Sequence, residues 1–154
     1  MNYVVNNIRL KYLSRHPLSI KLYGYELESE FIESVKKYGI ICPIQVTQDF
    51  IIVDGHRRYQ AAQQLGIERD HVIVRLDLDD DLAIQEALIE CNRHRDRSDE
   101  IKHHEAQVLE SIAQERAKQL EIISGRQEAI EEELTPAYEP YQLPKYHWNT
   151  LDDF

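Results

Sequence analysis

Apolar positions recur along the chain in two periods, and the switch between them outlines the elements. Leu27, Phe31, Val35 and Tyr38 fall at helical spacing and predict a helix over Glu28–Tyr38 with these four inward, closed by Gly39. The short runs CPIQVT (42–47) and FIIVD (50–54) predict two strands joined as a hairpin through Gln48-Asp49. A second helix follows over 55–65, with Tyr59, Ala62 and Leu65 inward and Gly66 at its end. Asn7–Tyr12 predicts a short strand leading into a turn at Pro17, and HVIVRLDL (71–78) another strand. The acidic run Asp77–Asp81 predicts the start of a helix reaching about Glu90, since carboxylates suit the positive end of the helix dipole.

Ser98 is placed to cap a long helix from Asp99 to about Ile123, with Ile101, Val108, Ile112, Leu120 and Ile123 along one face. Gly125 punctuates it, and RQEAIEEEL (126–134) reads as one more short helix. From Thr135 onward three prolines and no period predict an extended or disordered arm. The pattern therefore predicts a small mixed-sheet α/β (α+β) domain over 1–97, a helical extension over 98–134 and an acidic tail over 135–154.

Charge changes this picture in one respect. The formal net charge is −10. Through Arg97 the chain carries 13 Lys+Arg against 15 Asp+Glu; from Ser98 on it carries 5 against 13. The acidity belongs to the C-terminal third, which argues against general nucleic-acid binding, because that affinity rests on phosphate neutralisation. The near-neutral first part keeps room for a local anion site. Cys42 and Cys91 form no CxxC pair, which argues against a zinc site or a disulfide framework. No window approaches the ~18 apolar residues of a membrane span, and the N-terminus lacks a secretory pattern. The expected location is the cytoplasm, without membrane attachment.

The candidate chemistry sits in IIVDGHRRYQAAQQLG, residues 51–66. A strand, an Asp-Gly break and a helix start make a natural anion cradle, because the first helical N–H groups point outward and Gly55 lets an oxygen approach the backbone. Yet this helix opens with His56, Arg57 and Arg58. A cation in a helix's first turn costs roughly 0.3–1 kcal/mol at an exposed site. A phosphate at the helix start would remove the conflict; pairing of the arginines with Asp54 or with Asp77–Asp81 is the competing explanation.

Three blocks in order resemble the ParB N-terminal domain of the chromosome- and plasmid-partition family. Gly55-His56-Arg57-Arg58-Tyr59-Gln60-Ala61-Ala62 resembles its G-E-R-R-x-x-A-A box. Gly39-Ile40-Ile41-Cys42-Pro43-Ile44-Gln45-Val46 resembles G-x-x-Q-P-I-x-V, and Cys91-Asn92-Arg93-His94-Arg95 resembles E-N-x-Q-R. The resemblance covers about residues 7–106. It implies a ParB/sulfiredoxin-like fold that binds a nucleoside triphosphate, CTP first among them, with Mg²⁺. By position, Gly55, His56, Arg57 and Arg58 would form the phosphate loop. Asn92 and Arg95 would complete it from the second segment, and Gly39 and Pro43 would shape the wall near the base.

The chain departs from that pattern where relatives carry acids. His56 replaces the acid of G-E-R-R, and Cys91 replaces that of E-N-x-Q-R; a thiol is a poor Mg²⁺ ligand. Glu90, next door, is the substitute candidate for metal binding or catalysis. Phosphate binding is thus better supported than hydrolysis. Sulfiredoxin chemistry is excluded, since the residue before His56 is Gly55 rather than cysteine. Free-serine kinases on this fold carry a D-G-H-x-R-like loop similar to Asp54-Gly55-His56-Arg57, and there His56 or Asp54 would transfer a proton. For His56 the favoured alternative is a solvent-facing or sheet-capping imidazole. His94, His103, His104 and Glu105 lack metal-site spacing, and Arg93 and Arg97 read as solvated or paired.

No helix-turn-helix pattern follows Glu105, so sequence-specific DNA binding is not expected. The long helix could pair two copies of the chain, and Tyr146 and Trp148 in the tail could dock a protein partner. Three readings stand: a regulatory nucleotide-binding protein, with or without hydrolysis, in a plasmid, phage or other mobile-element setting; a small-molecule phosphotransferase; and a protein-interaction module whose nucleotide site has decayed.

Overall fold

The computed structural model describes residues 2–24 and 26–134. Five strands form one mixed sheet in the order β1-β5-β3-β4-β2. These are β1 (Tyr3–Arg9), β2 (Ser14–Arg15), β3 (Ile44–Val46), β4 (Ile51–Asp54) and β5 (Arg69–Arg75). β1 runs antiparallel to β5, β5 parallel to β3, β3 antiparallel to β4, and β4 parallel to β2. The helices are α1 (Pro17–Tyr23), α2 (Ser29–Tyr38), α3 (His56–Gln64), α4 (Asp81–Asn92) and α5 (Asp99–Leu134). The chain divides into two units, with the boundary between Gln114 and Glu115 inside α5.

Strand alternation sends neighbouring side chains to opposite faces. On β4, Ile52 joins a core of Leu10, Leu13, Ile44, Val46, Val72 and Val74, closed by Tyr59 and Ala62 of α3. Val53, the next residue, joins Leu78 and Leu88 on the other face, where α4 packs. The central strand ends are thereby held from both sides, which fixes where β4 releases the chain into α3. The expected small mixed-sheet domain with a helical extension is observed.

Several local expectations are corrected. The first strand is Tyr3–Arg9, and Leu10–Tyr12 form a 3₁₀ turn. β1 is an edge strand with mostly exposed side chains, so its own hydrophobic pattern could not mark it; its seven-residue pairing with β5 does. Pro17 opens a helix instead of a turn, because His16 is extended and its Nδ1 accepts from Leu18 N–H, leaving proline at the first helical position. Tyr38 points outward, 61 % exposed, with Lys37 over its ring; Val35 is the buried residue of α2. α4 begins at Asp81, capped by the Asp80 carboxylate, and Asp77 pairs with Arg75 instead. Gly55 caps α3 from outside it. Gly125 does not end the long helix: α5 runs unbroken over 36 residues. A single mid-helix glycine costs only about 1 kcal/mol relative to alanine, too little to break so long an element. The tail from Thr135, with Tyr146 and Trp148, lies outside the described residues.

Candidate functional site

The site starts from the backbone at Gly55. Its φ of 96° is left-handed, and a Cβ there would sit 3.2 Å from Ile44 Cγ1 and from the Arg58 guanidinium carbon. Glycine is thus required both for the turn and for the close approach of Arg58. α3 begins immediately after, with no acid in its first turn.

The three basic residues of that turn then separate. Arg58 is committed to the scaffold: it donates to the Asp54 carboxylate at 2.7 Å, to the Pro43 carbonyl at 2.8 Å and to the Cys42 carbonyl. It ties α3 to the segment entering β3. His56 is buried, with Nδ1 3.3 Å from the Ser19 hydroxyl of α1. Burial, and then the charges of Arg95, Arg15 and His16, push its pKa from 6.5 down to about 3, so it is neutral at pH 7. Of the two non-catalytic placements expected for His56, solvent-facing or sheet-capping, burial excludes the solvent-facing one. Arg57 remains. Its guanidinium lies over the Phe31 ring at 4.7 Å and sits 3.8 Å from the Glu28 carboxylate, itself largely exposed. Its buried Nε–H has no hydrogen-bond partner among the described residues.

The second basic segment is the loop after α4. Arg97 donates to the buried Glu105 carboxylate at 2.5 Å, which also accepts from Tyr23 Oη at 2.7 Å. Arg93 pairs with Glu90 at 2.8 Å. Arg95 is exposed, and its guanidinium makes no hydrogen bond or ion pair among the described residues.

Arg57 and Arg95 line two cavities in common. One, of about 340 Å³, is formed with Phe31, Gly39, Cys42 and Arg58. The other, of about 470 Å³, is formed with Tyr23, Glu28, Arg97 and Ile101. A larger cavity of about 620 Å³ lies at Arg9, Lys11, Gln63 and Gly66, beside the C-terminal end of α3, where the helix dipole disfavours anions. The smaller pair is therefore the better anion site.

Gly39, Arg57, Arg58 and Arg95 thus meet around one cavity, with Gly55 packed close to the Arg58 side chain and Pro43 contributing its carbonyl to Arg58. Asn92 behaves differently. It is buried and its amide donates to Leu88 O at 2.7 Å, while its own carbonyl accepts from Arg95 N–H, so it shapes the loop that presents Arg95. Asp54 is tied to Arg58, and Glu90 is exposed. Burial, and then the Asp54 carboxylate, push the Cys91 thiol pKa up. Among the described residues no group of three His, Cys, Asp or Glu could hold a metal ion. Sequence reading missed Phe31 and Glu28 as neighbours of Arg57, and it missed the α1 residues His16 and Ser19 behind His56. Pro17 after an extended residue, with Leu18 and Leu22 four apart and Gly24 following, was the available signal for α1.

The family model for the ParB N-terminal domain matches residues 3–92, more than half of the chain. A probable chromosome-partitioning protein ParB of Mycobacterium leprae is 33% identical over 104 residues, 62% of this chain and 31% of that protein. Its counterpart in Xylella fastidiosa (strain Temecula1) is 38% identical over 91 residues, 56% of this chain and 28% of that protein. The chain spans under a third of the length of these relatives. Among solved structures, a pNOB8-like ParB-N domain superposes with a TM-score of 0.59 at 17% identity, over 82% of this chain and 51% of that one, a likeness of fold. A truncated ParB of Caulobacter crescentus complexed with CTP-γ-S is 27% identical over 62% of this chain and 55% of that one, with a TM-score of 0.47. No described helix is long and apolar enough to cross a membrane.

Proposed function

This chain belongs to the ParB N-terminal domain family, and on that premise we propose that it binds the phosphates of a nucleoside triphosphate, CTP in the first place, as a regulatory switch. The carrying observation is the convergence of Arg57 and Arg95. They come from segments far apart in sequence, share two cavities near a helix N-terminus, and keep guanidinium donors available. In this reading the α3 amides and dipole meet the phosphates at Gly55. Arg57, held over the Phe31 ring, supplies a positioned fork, and Arg95 closes from the loop. Arg58 keeps the wall at Cys42 and Pro43 in place, and the 39–42 segment forms the side against which a base would lie.

Binding is favoured over phosphoryl transfer. A kinase-like step needs a base at the loop, but Asp54 is paired with Arg58 and His56 is buried and neutral. The Mg²⁺ that the family implies would need hard oxygen donors from the second segment. There Cys91 is a thiol and Glu90 is paired with Arg93, so these residues do not fit a protein-held ion, and no step is assigned to it. A partition-related role in a plasmid or other mobile element, in the cytoplasm, is the setting we propose on family grounds.

A thermal-shift series with CTP, ATP, ADP and GTP, with and without Mg²⁺, tests this. CTP is expected to stabilise the wild type. Arg57→Ala should weaken that binding by about 10- to 100-fold, the equivalent of losing roughly 1.5–3 kcal/mol of charge-assisted hydrogen bonding. If no nucleotide stabilises the wild type more than Arg57→Ala, the proposal fails.

A further inference from the structure

The second unit offers a feature that nucleotide binding does not use. Between Glu115 and Glu131, α5 exposes Leu120 at 67 %, Ile122 at 56 %, Ile123 at 51 % and Ile130 at 53 %. Isolated surface apolar residues are ordinary, but four within eleven helical residues are not. Leu120, Ile123 and Ile130 lie on one stripe, which passes through positions 116, 120, 123, 127, 130 and 134.

We infer that this segment pairs antiparallel with the same segment of a second copy of this chain, about a two-fold axis level with Gly125. The stripe is self-complementary under that operation. Its positions lie symmetrically on either side of residue 125, so reversal places Leu120 against Ile130, Ile123 against Gln127, and position 116 against position 134. An isologous contact needs this symmetry. Charge decides the direction. Glu115–Arg126 carries Arg116, Lys118 and Arg126 against Glu115 and Glu121, whereas residues 127–134 carry Glu128, Glu131, Glu132 and Glu133 with no cation. A parallel pair would set the glutamate-rich ends side by side and Arg116 against Arg116. The antiparallel pair brings each glutamate-rich end alongside the Arg116–Lys118 end of its neighbour, and leaves the helix dipoles opposed.

Sedimentation equilibrium of the full chain tests the pairing. The wild type is expected to dimerise at tens of micromolar, and Leu120→Glu/Ile130→Glu to weaken association at least tenfold with its far-UV circular dichroism retained. Arg116→Glu/Lys118→Glu should also weaken it, and adding Glu131→Lys/Glu133→Lys should restore it. Direction is read by disulfide trapping in a Cys42→Ser background. Differently tagged Leu120→Cys and Ile130→Cys chains should cross-link to each other and not to themselves. A wild type that stays monomeric at 100 micromolar (about tenfold above an ordinary weak interface of ~10 micromolar), dimers insensitive to the Leu120/Ile130 substitutions, or self-cross-linking of Leu120→Cys would each overturn the inference. None of these outcomes depends on nucleotide.

Discussion

The two basic segments around the cavity, residues 54–58 and residues 93–97, solve the same problem with different degrees of support. Each commits most of its cations to the scaffold and leaves one toward the cavity. At the start of α3, Arg58 is held by three oxygens and His56 is neutralised by burial, leaving Arg57. In the loop, Arg97 is held by Glu105 and Arg93 by Glu90, leaving Arg95. The first segment follows the central strand β4, whose Ile52 and Val53 are fully buried, and Arg57 also lies over the Phe31 ring. The second is a short exposed loop whose cation has no side-chain partner among the described residues. Arg57 is therefore placed before a ligand arrives, and Arg95 is left to adjust to one. A clustered basic motif is thus a poor count of available charge: most of its members hold the others in position.

The comparison breaks most visibly at Arg58. Arg58→Ala strands the Asp54 carboxylate and two carbonyls, and is expected to destabilise the fold by about 2–3 kcal/mol. That corresponds to a fall in Tm of roughly 10 °C by calorimetry. A Tm unchanged within 2 °C (about 0.5 kcal/mol) would deny it the scaffold role.

Next comes acid sensitivity at His56. Its folded pKa is about 3, below the unfolded 6.5, so above pH 6.5 both states are neutral and nothing is lost. As pH falls below that value the unfolded chain gains a proton that the folded chain refuses, and stability drops. By pH 5 the loss reaches about 2 kcal/mol, and His56→Gln should remove it. Urea melts at pH 7.5 and pH 5 give the difference; identical losses in both proteins would reject the buried neutral histidine.

The smallest effect is expected at Arg95. Arg95→Ala should weaken nucleotide binding about fivefold, less than Arg57→Ala, because an unanchored side chain loses more entropy on binding. The same variant removes the largest charge contribution to His56 and should raise its pKa, read by the imidazole resonances in NMR titration. Equal losses for both arginines would erase the proposed difference between the segments.

Much of the central fold was legible because its signals are local. The hairpin of β3 and β4, the glycine break and the apolar face of α3 follow from spacing alone, and the same stretch carried the family motif. The edge strand β1 and the helix α1 were not legible. One is specified by its partner strand, and the other is a seven-residue helix of about two turns whose proline reads equally well as a bend. At the site, the sequence brought Gly39, Arg57, Arg58 and Arg95 to attention, and all four line or border one cavity. It also grouped Asn92 with them, although that amide serves its own helix.

By itself the sequence determined that a strand, a glycine and a helix start would present basic residues where a dipole invites an anion, since these depend only on periodicity and on residues beside one another. Which of those residues carries an available charge was decided by tertiary structure alone. Burial against Ser19 discharges His56, oxygens from the segment entering β3 occupy Arg58, and only distant packing brings Arg95 to the side of Arg57. Protonation and ion pairing depend on the medium and neighbours around a group, and those are set by the fold.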